Sequence, residues 1–258
     1  MFDYIEIDID EKRGINRILL DRPDQRNALN LALVAELKEA LALAAADDRI
    51  RVIALGGNGP DFCAGADLRE IQAAVEEGVM ASLGDAESLG ELFLLMRRLE
   101  KPIVAMVHGR ALAGGCGLAT ACDLVLATES ASFGYPEVKL GFVPAMVMAI
   151  LRRNLGEKRA FELIATGDSI TAEAAAEWGL VNRVFADADF EASADTFLAD
   201  LASRSATGLA LSKRLLNVTD GMGFDSAIAA GAQVNALARL TEDCQAGIRR
   251  FLDRDDTR

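Results

Sequence analysis

Residues 4–9 alternate apolar and polar side chains (Y-I-E-I-D-I), the period of a strand with one buried face. Gly14 then leads into Ile15–Leu20, the second arm of a hairpin. The stretch Asp21-Arg22-Pro23-Asp24-Gln25-Arg26-Asn27 reads as a polar turn. Beyond it, Asn30 can cap a helix that carries Val34, Leu37 and Leu41 at helical spacing. Residues 51–55 form a strand ended by G-G-N-G-P, and the small-residue stretch Phe62-Cys63-Ala64-Gly65-Ala66-Asp67 follows. Its Asp67 is a second N-cap candidate. Residues 70–84 lack a clean period and contain Gly78 and Gly84, so an irregular or mobile segment is expected there. A helix is expected over 87–99, with Leu89, Phe93 and Met96 on one face, stopped by Lys101-Pro102. Ile103–Val107 is the next strand.

Strands alternating with helices in this order predict an α/β fold with right-handed crossovers and a mainly parallel sheet. The chain is organised around residues 109–141. Small residues (Ala111, Ala113, Gly114, Gly115) open this stretch, a short helix is expected over 116–122, and a buried strand over 123–128. Then comes Phe133-Gly134-Tyr135-Pro136-Glu137, one carboxylate among uncharged neighbours. The first turn of a helix leaves backbone N–H groups unpaired, which makes it an anion site. A carboxylate set across from such a site suits a thioester: the donors hold a developing enolate oxygen and the carboxylate moves a proton at the adjacent carbons. From Pro144 on the pattern is helical, apart from a short strand over 180–185, with Ala-rich helices at 188–203, 206–218 and 224–252. The change near residue 200 predicts a helical appendage that packs on a neighbour. No repeat, low-complexity linker or heptad array is present.

With 258 residues, 51% of them apolar, the chain can bury the core of one large domain with a small appendage. Its formal charge of −13 disfavours nucleic acids and anionic membranes as partners. A polyanionic ligand must therefore be met by a few placed Arg and Lys side chains. Cys63, Cys116, Cys122 and Cys244 show no C-x-x-C spacing, and three of them sit in Ala- or Gly-rich stretches, as reduced structural thiols do. The acidic start (M-F-D-Y-I-E-I-D) does not fit a signal or transit peptide. The longest uncharged run near a proline, 140–151, is too short to span a bilayer. A cytoplasmic location is expected.

His108 is the sole histidine, so it is read as structural; no G-x-S-x-G elbow accompanies it. The glycines match neither G-x-G-x-x-G nor a P-loop, and no metal-ligand spacing is present. Asp123 is read as ending the helix and starting the strand. The carboxylates Glu70, Glu76, Glu77, Asp85, Glu87 and Glu91 are read as facing solvent, with one of them a candidate for a second acid/base.

Five ordered motifs change the picture: L-D-R-P-D-Q-R-N-A-L-N, G-N-G-P-D-F-C-A-G-A-D-L-R-E, K-P-I-V-A-M-V-H-G-R-A-L-A-G-G-C-G, C-D-L-V-L-A-T-E-S-A-S-F-G-Y-P-E and G-L-V-N-R-V. Over nearly its whole length the chain resembles the crotonase superfamily, the enoyl-CoA hydratase/isomerase family. The resemblance implies a spiral of strand–strand–helix turns over 1–200 and a helical region over 201–258 that builds trimers, often paired into hexamers. It implies acyl-coenzyme A thioesters as substrates, with coenzyme A only as part of the substrate and no metal or redox cofactor. By position, Ala66 and Gly114 would supply oxyanion-hole amides and Glu137 the acid/base. Arg26, Ala28, Leu29, Ala64, Asp67, Leu68, Arg69, Leu112, Gly115, Gly117 and Pro136 would line the substrate groove. Phe251 and Arg254 would reach a neighbour's nucleotide, and Arg22, Arg26, Arg69 and Arg254 would anchor phosphates.

Two departures stand out. Many hydratases of this family carry a glutamate at the position of Gly117, and here that carboxylate is missing. Val143-Pro144-Ala145-Met146-Val147-Met148 replaces a common glycine-rich turn with bulkier side chains. Reversible hydration of a 2-enoyl-CoA is the first reading. A Δ3,Δ2-enoyl-CoA isomerase using Glu137 alone is the second, and a non-catalytic scaffold or RNA-binding relative the third.

Overall fold

The computed structural model describes residues 2–255. Strands β1 (Ile5–Asp10) and β2 (Ile15–Leu20) form the expected antiparallel hairpin, with Ile5 opposite Leu20. A short 3-10 turn at Pro23–Gln25 leads to α1 (Leu31–Ala46), where Asn30 Oδ1 accepts from the Leu33 N–H at 2.8 Å. Next come β3 (Val52–Gly57), α2 (Leu68–Glu77), α3 (Val79–Arg98) and β4 (Ile103–Val107). The central stretch holds β5 (Arg110–Leu112), α4 (Gly114–Ala121), β6 (Leu124–Thr128) and β7 (Ser132–Gly134). After a 3-10 turn at Pro136–Leu140 follow α5 (Val147–Asn154), α6 (Glu157–Thr166), β8 (Ser169–Thr171), α7 (Ala172–Trp178) and β9 (Arg183–Phe185). Four helices finish the chain: α8 (Phe190–Ala202), α9 (Ala206–Thr219), α10 (Phe224–Arg239) and α11 (Glu242–Asp255).

The large sheet runs β1-β2-β3-β4-β6-β9, parallel everywhere except between β1 and β2. A second sheet runs β5-β7-β8, and two single parallel bridges, Cys63 to Ala111 and Leu29 to Ala66, extend its ladder. Each strand of the large sheet from β2 to β6 is therefore followed by a segment in this second layer and then by a helix. That is the strand–strand–helix spiral. The inner strands β3, β4 and β6 are apolar because both their faces are covered, whereas β1 at the edge alternates apolar and polar residues. In β3, Ile53 and Leu55 enter the interior of the spiral, while Val52 and Ala54 meet Phe190, Ala194 and Leu198 of α8 on the outer face.

Several expectations need correction. Residues 70–84 are not irregular: they belong to α2 and α3, broken only at Gly78 with φ of 112°. Gly78 and Gly84 made the stretch look broken, but Gly78 only separates the two helices and Gly84 lies within α3. The strand expected over 180–185 is only Arg183–Phe185, and the helix expected over 224–252 is two helices parted at Leu240–Thr241. Asp123 is structural as read, since its Oδ2 accepts from the Ile103 N–H at 2.8 Å and pairs with Lys213 of α9 at 2.7 Å. The C-terminal helices are present, and beyond Ala202 no described residue is buried. No helix among the described residues is long and apolar enough to cross a membrane.

Candidate active site

Three loop segments meet at the N-terminus of α4. Asp61, 4% exposed, holds two of them together. Its Oδ1 accepts from the Arg110 N–H at 3.0 Å and from Nε at 2.8 Å, while Oδ2 accepts from Nη2 at 2.8 Å. These bonds hold the Asp61 carboxyl below its ordinary range. The backbone continues the pairing: Cys63 N–H donates to Arg110 O, and Leu112 N–H to Cys63 O, both at 3.0 Å. On the other side, Leu29 N–H donates to Gly65 O at 2.7 Å and Asp67 N–H to Leu29 O at 2.8 Å. A parallel ladder uses alternate amides, so the Ala66 N–H points away from Leu29 and carries no protein hydrogen bond among the described residues.

Gly114 opens α4 with an N–H that is equally unpaired, as the first amide of a helix must be. A Cβ on Gly114 would lie 3.8 Å from the Ala66 nitrogen, so the two free amides are neighbours. Two features set this approach. Ala113 adopts φ 50° and ψ −126°, a strained conformation for an L-residue. Gly115 lies so close to the Cys63 carbonyl that a Cβ would stand 2.3 Å from its oxygen. A side chain there would push α4 off the 62–66 segment.

Glu137 sits in the 3-10 turn that Pro136 opens after β7. It is 8% exposed, and its Oε2 has no hydrogen-bond partner. Burial raises its carboxyl above the ordinary range, with a bond from its own backbone pulling the other way. Behind it Tyr135 is fully buried, its hydroxyl 3.4 Å from Thr120 Oγ1, which also bonds the Cys116 carbonyl at 2.7 Å. Cys116 itself is buried and its thiol is pushed up to about 12, in keeping with a structural role.

Glu137 and the amide pair open on one cleft of about 1010 Å³. It gathers Ala28, Leu29, Ala64, Ala66, Asp67, Leu68, Arg69, Gly114, Pro136 and Glu137 of the residues singled out in the sequence. Asp67 also caps α2, accepting from the Arg69 N–H at 3.1 Å. Other expected residues lie elsewhere. Arg26 turns to Asp61, 3.9 Å away; Leu112 is held in β5 by Cys63; Gly115 packs on the Cys63 carbonyl. Phe251 is exposed on α11 away from the cleft wall. Arg254 belongs to α11, and its side chain lies outside the described residues. Gly117 does not face the cleft. A Cβ there would stand 2.1 Å from Val147 Cγ1 and 3.5 Å from Phe93 Cζ, so Val147 fills the space of a side chain at 117.

Sequence reasoning missed Val147 as part of the cleft wall, and also Asp85 and Leu89 of α3. The period of 87–99 placed Leu89 on the apolar face, whereas Asp85 fell between that helix and the stretch 70–84 and was grouped with the carboxylates read as facing solvent. Arg22 also lines the cleft, but as a brace: it pairs with Asp67 at 3.1 Å, donates to the Ala28 carbonyl and lies over the Tyr4 ring. His108 bonds the Gly59 carbonyl at 2.9 Å through its ring nitrogen. Among the described residues no cluster of His, Cys, Asp and Glu is placed to hold a metal ion.

Comparisons with known proteins identify the family. The chain is 36% identical over 251 residues to 2,3-dehydroadipyl-CoA hydratase of Escherichia coli, with 96% of each chain covered. It is 31% identical to crotonyl-CoA hydratase of Syntrophomonas wolfei, covering 97% of this chain and 96% of that one. The crystal structure of enoyl-CoA hydratase from Mycobacterium smegmatis superposes with a TM-score of 0.93 at 31% identity, over 97% of this chain and 96% of the other. The model of the enoyl-CoA hydratase/isomerase family matches residues 10–258. The spiral fold, the motifs along it and these matches converge: the chain belongs to the enoyl-CoA hydratase/isomerase family and is an enzyme of the crotonase superfamily.

Proposed function

We propose that the cleft binds a 2-enoyl-CoA thioester and adds water across its double bond, reversibly. The observation that supports this reading is the pair of unbonded amides, Ala66 and Gly114, opening on the same cleft as the buried, unpartnered carboxyl of Glu137. The two N–H groups hold the thioester oxygen as it takes on enolate charge. Glu137, kept protonated more readily than an exposed glutamate, gives its proton to C2 as water adds at C3, and the proton which that water loses returns to the Glu137 carboxylate; the reverse direction runs the same transfers backwards. These groups are all the chain's own, and coenzyme A enters only as part of the substrate. Arg69, exposed on the cleft wall at the start of α2, is the cation placed to meet its phosphates.

One observation favours a second reading. Val147 occupies the side-chain space at position 117, which leaves Glu137 as the carboxyl beside the amide pair. A single carboxylate can carry a proton between C4 and C2, which is the isomerisation of a 3-enoyl-CoA. The relatives' names leave the acyl tail open, since adipyl chains end in a carboxylate and crotonyl chains in a methyl group. We also propose that the region beyond residue 200 joins copies of the chain into trimers or hexamers. Phe224 and Leu240 are each 80% exposed in the single chain, an arrangement that calls for a covering surface.

The test is Glu137→Gln, assayed side by side on crotonyl-CoA and on a 3-enoyl-CoA. Loss of about 10² to 10⁴ in rate on the substrate used, with coenzyme A binding retained, is the expected result. Full activity of the variant on both would remove Glu137 from the chemistry.

A further inference from the structure

Helix α3 lays Ser82, Asp85 and Leu89 along one wall of the cleft. Leu89 Cδ2 lies 3.8 Å from where a Cβ on Gly114 would stand, so this row passes beside the amide pair. Asp85 is one turn earlier on the same face, about 6 Å along the helix axis. An acyl chain of six carbons covers about the same length. Asp85 is half-buried, and no cation or hydrogen-bond donor among the described residues pairs with it. Its nearest charged influence is another carboxylate, Glu70 of α2, which accepts from the Leu31 N–H at 2.8 Å. Burial and the Glu70 charge both push the Asp85 carboxyl up.

The cations on the wall do not answer this charge. Arg22 is engaged by Asp67 and the Ala28 carbonyl, and Arg69 is exposed beside Asp67. Elsewhere the α3 side and the 142–147 segment are largely apolar: Leu89, Phe142, Val143, Met146 and Val147. A carboxylate brought into this part of the cleft would leave water, meet a like charge and find no partner.

We propose that Asp85, with Glu70 behind it, is a charge filter on the acyl tail: the cleft admits chains with uncharged ends and turns away chains that end in a carboxylate. The proposal rests on the cleft being an acyl-CoA site, and it deepens that reading by naming the class of tail. A like charge about 6 Å away at an effective dielectric of about 20 corresponds to about 100-fold in binding.

The experiment compares hexanoyl-CoA with adipyl-CoA, which share a six-carbon chain and differ in the terminal carboxylate. Calorimetric binding to the full-length protein is measured for the wild type, Asp85→Asn and Asp85→Leu, alongside turnover of 2-hexenoyl-CoA and 2,3-dehydroadipyl-CoA. The wild type is expected to favour the uncharged chain by about 100-fold. Asp85→Asn, nearly isosteric, is expected to reduce that ratio at least about 10-fold, chiefly by tightening adipyl-CoA. A wild type that binds both alike, or a ratio that neither variant moves, overturns the filter while leaving the acyl-CoA reading intact. A folded Asp85→Asn that keeps the ratio but loses 2-hexenoyl-CoA hydration and one limb of the pH–rate profile makes Asp85 a proton-transfer group instead, and also overturns it. Failure of the wild type to bind either thioester sinks the acyl-CoA reading itself, and the filter with it.

Discussion

A methyl group added at position 117 drives α4 against α5. The new Cβ would lie 2.1 Å from Val147 Cγ1 and 3.0 Å from Val147 Cβ, against normal carbon contacts of about 3.5–4 Å. Val147 is 3% exposed and β-branched, so turning its χ1 moves Cγ1 but cannot relieve the contact at Cβ. Overpacking of this kind costs about 1–3 kcal/mol, and the better helix propensity of alanine returns only about 1. Taking the middle of that range, about 2 kcal/mol, less the propensity gain of about 1, we expect Gly117→Ala to be destabilised by about 1 kcal/mol. Val147→Ala alone opens a cavity and should cost about 2 kcal/mol. In the double variant the clash is gone and the helix gain remains, so the two changes should couple favourably by about 2 kcal/mol. Urea unfolding of the four proteins at one fixed protomer concentration reads this directly. Additivity within about 0.5 kcal/mol would refute the packing argument. The same geometry governs chemistry: Gly117→Glu alone should be poorly folded, whereas Gly117→Glu with Val147→Gly should fold and hydrate crotonyl-CoA faster than the single variant.

Two further outcomes are expected. Asp61 has a carboxyl held below its ordinary value of 3.8, so the stability it contributes is complete above that value and drains as pH falls through the lower, folded one. Asp61→Asn should cost about 1–3 kcal/mol, discounted because Arg110 is 41% exposed, and thermal melts between pH 3 and pH 7 should show a flatter acid limb; an unchanged limb would free Asp61 of that role. Light scattering should give three or six times the 27.5 kDa chain mass, lowered by Phe224→Glu with Leu240→Glu; a monomer at micromolar concentration would contradict the proposed assembly.

Much of this fold was legible because the large sheet is buried on both faces. Its strands read as short apolar runs, and Asn30 and Asp67 announced their helices by the side-chain oxygens that cap them. The second sheet was not legible. β5, β7 and β8 are three residues each, too short to show a period, and two more of its segments are single bridges fixed by tertiary contacts. Helix α2 was announced by its Asp67 cap but not followed through, because Gly78 and Gly84 made the stretch look broken, whereas Gly78 only parts two helices and Gly84 lies inside α3. Asp85 was read as facing solvent with five other carboxylates, because the sequence shows no contrast that separates it from them.

The site itself shows where reading residues one at a time runs out. Gly117 looked like an omission, a place where a carboxylate had been dropped and could be put back. Separately, residues 143–148 looked bulkier than the turn they replace. The structure makes these one change. Val147 comes from that bulkier segment, and it occupies the volume that a side chain on Gly117 would need. Glycine at 117 is then a packing requirement of Val147, as Gly115, two residues earlier, is of the Cys63 carbonyl. A sequence records both residues but not that a Cβ on Gly117 would stand 2.1 Å from Val147 Cγ1, so it shows two departures where the packing joins them into one. In this chain, therefore, a side chain at 117 requires a smaller residue at 147.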